Sequence, residues 1–434
     1  MLSKIETNKI IKLLKQEVIP AMGCTEPMAV ALATAKATEL LGETPDLVIA
    51  RLSGNIIKNA MGVGIPGSEG MIGLPAAIAL AVLAGKSEYN LEVLKDVRHE
   101  DVERAKEFIE QRKFQVIQAR DTYEILYVEI EARKDGKTSK VIIAKQHTNF
   151  VYLQSPTEVL LDERDTLATS PIMSHETDLT MEKVYEFATK TPLESISFIL
   201  ESAKVNKSVS QLAFTGDYGM NLGKSLLGGG FEQRMLGQTT MPKIVIYTCA
   251  ACDVRMSGAQ VAVMTNSGSG NQGIAATMPV VVFAEDIQAT EAKMARALAL
   301  SHLTVIYIKQ LLGRLSAHCG CVIAATGSAC GITYLMGGSY EQVCYAVKNQ
   351  IAALTGMVCD GAKPSCSLKL SSAVSSAFQA ALLAMDGITV ASTDGIIESD
   401  VDKSIRNLAD IGRDAMHEVD NIILKIMVNK ENEA

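Results

Sequence analysis

The 434-residue chain has no tryptophan, and only 11 tyrosines and 9 phenylalanines supply aromatic bulk. Its cores must therefore be built from small and aliphatic side chains, which favours closely packed helices. It has no block of lysine and arginine: 41 basic residues face 49 acidic ones, for a net charge of -8. That excludes the electrostatic footprint of a nucleic-acid binder, so no nucleic-acid partner is expected. The N-terminal MLSKIETNKIIKLLKQEVIPAMG is amphipathic and charged and lacks the unbroken apolar core of a secretory signal, which predicts a cytoplasmic protein. Convincing membrane spans are missing too. Two uncharged stretches, 256–284 and 315–340, exceed the roughly 18 residues that raise the question. However, the first is interrupted by TNSGSGNQG and the second by glycines, His318 and cysteines, all costly in lipid, so no membrane association is expected. Nine cysteines, an odd number in a reducing compartment, do not make a disulfide framework; metal, redox or plain core use remains.

At roughly 150 residues per domain, the length suggests two or three domains. Residues 3–19 read as a helix with an Ile/Leu/Val face closed by Pro20, and a second helix opens inside GCTEP and runs to Gly42. A strand at 46–52, the glycine-rich loop SGNIIKNAMGVGIPGSEG and a small-residue helix at 72–84 follow. Near 123–148, YEILYVEIEARKDGKTSKVIIAKQHT has two alternating strands around an Asp-Gly turn. The charged segment 155–180 shows no clean period and marks a boundary. Beyond it the pattern is helical, near 181–188, 193–204, 288–313, 341–355, 367–385 and 400–428. The fold class is α+β: an α+β domain over 1–175 followed by a mainly helical domain over 176–434.

The strongest chemical constellation is AHCGC at 317–321 with VCDGAKPSC at 358–366. Cys359 and Cys366 bracket a loop, containing Gly361 and Pro364, short enough to wrap two thiolates around one metal centre, and Cys319 or Cys321 can close the site. Three thiolates leave a position open: on a four-iron cluster this makes one iron a Lewis acid, and on zinc it admits a water. Buried free cysteines also occur as small core residues, so spacing alone leaves both readings open. TCAAC at 248–252 lacks the Pro or Gly of a redox CxxC, and Cys249, Cys252, Cys330 and Cys344 read as packing. Cys24 opens a helix, where exposed amides favour a thiolate or seat a carboxylate; an ordinary cap with Thr25 and Glu26 is the bland alternative. SGNIIKNAMGVGIPG at 53–67 and TNSGSGNQG at 265–273 can present amides to an oxyanion or serve as packing turns, and neither fits a nucleotide-binding pattern. His147, ending a strand in KQHTNF, is a candidate base or ligand or a satisfied structural histidine, and His318 has the same standing.

Taken together, GCTEPMAVALA, SGNIIKNAMGVGIPG, QHTN, CDVRMSGAQVAVMTNSGSGNQGI, CGC and VCDGAKPSC resemble, in order and over nearly the whole chain, the L-cysteine desulfidase family, related to the iron-sulfur L-serine dehydratase α chain. The resemblance implies a helical domain like the dehydratase α domain. It also implies a [4Fe-4S] lyase that turns L-cysteine and water into pyruvate, ammonia and hydrogen sulfide without pyridoxal phosphate. It makes Cys359 and Cys366 cluster ligands with Cys319 as the third, Cys321 being the alternative, and places Cys24 at the family's N-terminal active-site cysteine. It further implies a homodimer. Elimination needs a base and a sink for negative charge, so Cys24, as a thiolate, is expected to act as base or to position substrate. Asn55, His147, Ser267, Ser269 and Asn271 are expected to bind the carboxylate and amine. L-serine dehydration on the same site is the nearest alternative activity. A non-catalytic protein carrying zinc on the same thiolates is an alternative of another class.

Overall fold

The computed structural model describes residues 2–168, 177–228, 239–313 and 316–433. The boundary expected at residue 175 lies outside the described residues. The first part is a six-stranded sheet with helices on one face. Its strands are β2 (Leu47–Leu52), β3 (Phe114–Gln118), β4 (Tyr127–Lys134), β5 (Lys137–Ala144), β6 (Phe150–Gln154) and β7 (Val159–Asp162), in the order β3-β2-β4-β5-β6-β7. Only the β2/β3 pair is parallel. The Asp-Gly turn predicted between β4 and β5 is present, and both Asp135 (φ 47°) and Gly136 (φ 79°) take the positive φ that a tight hairpin requires. Alternation decides the faces: Val48, Ala50 and Leu52 of β2 and Val128, Ile130 and Ala132 of β4 point into the core. Helices α2 (Thr25–Leu41), α4 (Gly73–Ala84) and α5 (His99–Glu110) complete that core, α2 lying directly on β4 and β5. The segment read as a glycine-rich loop differs: Gly54–Ala60 is a helix, α3, because IIKNA supplies a full turn of apolar and helix-tolerant residues after Ser53.

The second part is helical. Its labelled helices are α6 (Met181–Lys190), α7 (Leu200–Ala213), α8 (Thr240–Met256), α9 (Gly270–Asp286), α10 (Glu291–Leu312), α11 (Gly320–Leu335), α12 (Tyr340–Leu354), α13 (Cys366–Met385), α14 (Val401–Asp410) and α15 (His417–Glu433). The single helix expected over 400–428 is broken by a wide turn at Ile411–Ala415. Three of the long helices escape sequence patterning altogether: α8, α9 and α11. Each is buried on nearly all sides, so no polar face gives it a 3.6-residue period. Close approach explains the glycines of α11, since a Cβ on Gly327 would sit 2.3 Å from the Ser301 carbonyl oxygen of α10. Helix α13 is long and apolar enough to cross a bilayer, yet its Leu370, Ala373, Val374, Ala377 and Ala381 pack into the same core beside α8, α11 and α12.

The two parts share elements. Helix α1 (Lys4–Glu17) sends Ile10 and Leu14 into the helical core. Strand β1 (Pro20–Met22) pairs antiparallel with β8 (Ala262–Met264), which leads into α9. That pairing brings the start of α2 beside the start of α9.

Candidate active site

Four helices begin at one place. Cys24 caps α2, Ser269 caps α9, Cys319 caps α11 and Cys366 opens α13, and all four residues line one cavity of about 90 Å³. One water needs roughly 10–15 Å³ on this measure, so the cavity has room for a small amino acid. Each helix N-terminus adds a partial positive charge and unpaired amides, and Arg255, Lys309 and Lys369 add full charges to the lining. The site therefore favours thiolates and anions.

The cysteine segments, forty residues apart in sequence, are clamped by a short antiparallel bridge between His318 and Val358. The Cys319 amide donates to the Met357 carbonyl (2.9 Å), and the Cys359 amide to the Ala317 carbonyl (2.7 Å). The loop onward to Cys366 turns at Gly361, whose φ of +93° and whose 2.3 Å Cβ approach to the Lys58 carbonyl oxygen admit only glycine. Lys58 is itself buried in an ion pair with Asp420 of α15, which fixes α3 beneath this loop. Lys369 donates to the Val358 carbonyl (2.7 Å) and pairs with Asp360, whose carboxyl is drawn down to about 2 by Lys363 and Lys369 against its own burial.

Cys319, Cys359 and Cys366 feel one another's charge across the cavity. The neighbouring Cys321 lowers the pKa of Cys319 against its burial, while Cys321 is itself pushed far up by Cys319 and by burial. Burial first, then the charge of Cys319, pushes Cys359 up to about 11, opposed by Lys58. A single zinc ion, with Zn–S bonds of about 2.3 Å, would hold its sulfurs roughly 3.8 Å apart. Among the described residues, the one trio of ligand atoms all within 4.8 Å is Glu69, His99 and Glu103 on the surface. The thiols are therefore spaced too widely, as arranged, for one shared ion. Three soft sulfurs at wider spacing, ringed by helix N-termini, fit a polynuclear iron–sulfur cluster.

On the opposite side Cys24 is not the expected thiolate. Burial, then the Glu26 carboxylate, pushes its thiol far above the ordinary value, and Arg255 offsets only part of this. The helix N-terminus is outweighed, and the thiol donates to Glu26 Oε2 at 2.9 Å. Glu26 also accepts from Thr25 Oγ1 (3.1 Å) and from Asn59 Nδ2 (3.1 Å). Burial opposes its ionisation, but His147, the Cys24 thiol, its own amide and Arg255 together hold the carboxyl below the usual range. A buried carboxylate thus sits ready beside a protonated thiol.

The structure brings Cys24, His147, Ser267, Ser269, Asn271, Cys319, Cys359 and Cys366 to this cavity, and Cys321 with them. His147 lies in the turn after β5, whose last residue is Ala144, rather than on the strand. Ser267 takes a positive φ of 48° and donates to Asn266 Oδ1 (2.8 Å). Asn266 is in turn held by the buried His302 ring (3.0 Å). Asn55 lies on α3 outside the lining; Asn59, one turn further on, takes a place in it. Cys249 and Cys252 are buried in α8 outside the lining and donate to Ser367 O (3.3 Å) and Asn271 Oδ1 (3.6 Å).

Sequence reasoning did not single out Glu26 beyond a first-turn charge, nor Asn59, Arg255, Gln272, Lys309 or Lys369. One signal was available for Arg255: with Asp253 it is a charged exception at the end of an otherwise apolar stretch.

A family model described as serine dehydratase alpha chain matches residues 88–425. The chain is also similar over its full length to UPF0597 proteins. It is 56% identical over 431 residues to one from Phocaeicola vulgatus, covering 99% of this chain and 100% of that one. It is 41% identical over 428 residues to one from Oleidesulfovibrio alaskensis (99% of each chain) and 40% over 430 residues to one from Aeromonas hydrophila (99% and 98%). Cys319, Cys321, Cys359 and Cys366 fall inside the matched region, whereas Cys24, Glu26 and Asn59 precede it. With more than three quarters of its length matched and relatives that align end to end, the chain belongs to the serine dehydratase α-chain family, a lyase family typically linked to iron–sulfur chemistry.

Proposed function

We propose that this chain is an iron–sulfur-dependent carbon–sulfur lyase that degrades L-cysteine to pyruvate, ammonia and hydrogen sulfide by α,β-elimination, without pyridoxal phosphate. The observation that carries the reading is the single cavity joining the thiols of Cys319, Cys359 and Cys366 to the Cys24–Glu26 pair. Cys359, Cys366 and Cys319 would hold a [4Fe-4S] cluster, which when bound would supply Lewis acidity towards the leaving sulfur. The chain's own residues handle the proton. Cys24 passes its thiol proton to Glu26 Oε2 and, as thiolate, takes the proton from the substrate Cα. His147 and Arg255 keep Glu26 ionised until that transfer. Ser267, Ser269 and Asn271, at the start of α9, line the substrate's space. Once sulfide leaves, the aminoacrylate tautomerises to an imine that water hydrolyses to pyruvate and ammonia.

The family's description favours a second reading, L-serine dehydration on the same site with hydroxide as leaving group. Anaerobic reconstitution with iron and sulfide, followed by assay of sulfide and pyruvate from L-cysteine and of pyruvate from L-serine, separates the two. Equimolar sulfide and pyruvate from cysteine is the expected result. Pyruvate from serine alone would make the protein a dehydratase. A fully loaded cluster with no turnover of either amino acid would refute the lyase reading.

A further inference from the structure

We infer that Arg255 and Gln272 together read the two charged ends of a free α-amino acid, Arg255 taking the α-carboxylate and Gln272 the ammonium; this rests on the cavity described above and deepens its reading. Arg255 is 3% exposed, lines the cavity, and its Nε has no hydrogen-bond partner. A guanidinium cannot shed its proton, so an unpaired buried one is costly unless an anion joins it. The carboxylate whose charge it feels, Glu26, has its oxygens engaged by Cys24, Thr25 and Asn59. Lys369, another cation of the lining, is already matched by Asp360 and the Val358 carbonyl. Arg255 therefore retains donors for an incoming anion.

Gln272 presents the complementary vacancy in hydrogen bonding. It is 4% exposed, lines the same cavity, and its Oε1 has no partner. Two glycines seat the pair. A Cβ on Gly270, the first residue of α9, would lie 2.2 Å from Arg255 Nε, and one on Gly320, the first residue of α11, would lie 2.9 Å from Gln272 Cδ. Both side chains thus lie across helix N-termini, with Gln272 beside Cys319. An unsatisfied buried donor and an unsatisfied buried acceptor in one small cavity match a zwitterion, and leave a peptide or an amide without its anionic contact.

The test uses the reconstituted protein and L-alanine, which has both charged ends but no leaving group. L-Alaninamide lacks the carboxylate and propionate lacks the ammonium. By calorimetry, wild type is expected to bind L-alanine at least about 100-fold more tightly than L-alaninamide, the loss typical of stripping one partner from a buried charge pair. Arg255→Gln abolishes that preference with iron and acid-labile sulfide per chain unchanged. Gln272→Leu brings L-alanine and propionate to within a few-fold of each other. If Arg255→Gln does not fold, Arg255→Lys keeps the charge but loses the planar fork, and about tenfold weaker L-alanine binding with unchanged L-alaninamide binding is expected. A wild-type protein without the preference, or an Arg255 variant that retains it, overturns the inference. The two readings fail separately: binding preference without sulfide or pyruvate release removes the lyase and keeps the amino-acid site. Turnover of cysteine with KM unchanged in Arg255→Gln removes the anchor and keeps the lyase.

Discussion

Replacing Glu26 by Gln isolates the proton-accepting role from the structural one. The change is nearly isosteric at a site 7% exposed. The Asn59 amide can still donate to the remaining oxygen, and the Thr25 hydroxyl, which lies within reach of both Glu26 Oε2 (3.1 Å) and the Gly268 carbonyl (2.7 Å), can turn its one proton wholly to Gly268 and offer its lone pairs to the new amide. Only the Cys24 thiol loses its acceptor. The loss of one sulfur donor bond and of one charge-assisted contact, each about 1–2 kcal/mol, is set against relief of a buried charge worth several. Net stability should therefore change by less than about 2 kcal/mol. Activity should fall much further, because an amide cannot take the Cys24 proton: loss of a positioned base costs about 10²–10⁴ in rate, or roughly 3–5.5 kcal/mol of barrier. The assay is sulfide and pyruvate release from the reconstituted protein, with iron per chain and thermal midpoint measured on the same preparation. A Glu26→Gln protein with full iron content and more than a tenth of wild-type kcat would refute the relay.

Cys319→Ser, Cys359→Ser and Cys366→Ser should each lose most of the iron, whereas Cys321→Ser and Cys252→Ser retain it; iron retained by Cys319→Ser and lost by Cys321→Ser would exchange those two assignments. Gly361→Ala combines a left-handed residue, costing about 1–2 kcal/mol, with a clash against the Lys58 carbonyl, so both iron content and thermal midpoint should drop, while Gly356→Ala, with open space around it, should change neither. His302 is fully buried between Asn266 and Thr277, and burial lowers its pKa to about 3. Its folded pKa lies below the unfolded value of 6.5, so the unfolded chain takes up the proton first and stability is lost as pH falls from 6.5 towards 3. At pH 5 the loss is about 2 kcal/mol from this residue. His318, also lowered by burial, acts in the same direction. Thermal midpoints should therefore fall less between pH 6.5 and 5 in a His302→Asn variant than in wild type, and equal falls would show that the ring is not held neutral.

Much of the first half was legible from local signals. The Asp-Gly hairpin, the alternation in β2 and β4, and the glycine that ends α2 each follow from a few neighbouring residues and their preferred dihedrals. Helices α8, α9 and α11 were not legible, because a helix buried all round displays no polar face to read, and SGNIIKNA presented loop-like residues that in fact open a helix. Residue types likewise pointed to a candidate metal centre on the 319–321 and 359–366 cysteines, and separately to Cys24 and the Ser/Asn loop as candidate binding elements.

Sequence alone determined the inventory: soft thiols with a short Cys359–Cys366 spacing, a cysteine at a helix start, and small residues that permit close helix packing. Only the tertiary structure decided which of these meet. Convergence of four helix N-termini arises from the β1–β8 pairing and the His318–Val358 bridge, contacts between residues tens to hundreds of positions apart that no local pattern encodes. The protonation of Cys24 was decided at the same level. A helix N-terminus favours the thiolate by a fixed local dipole, but burial and a carboxylate 2.9 Å away act more strongly, and both are properties of the folded packing.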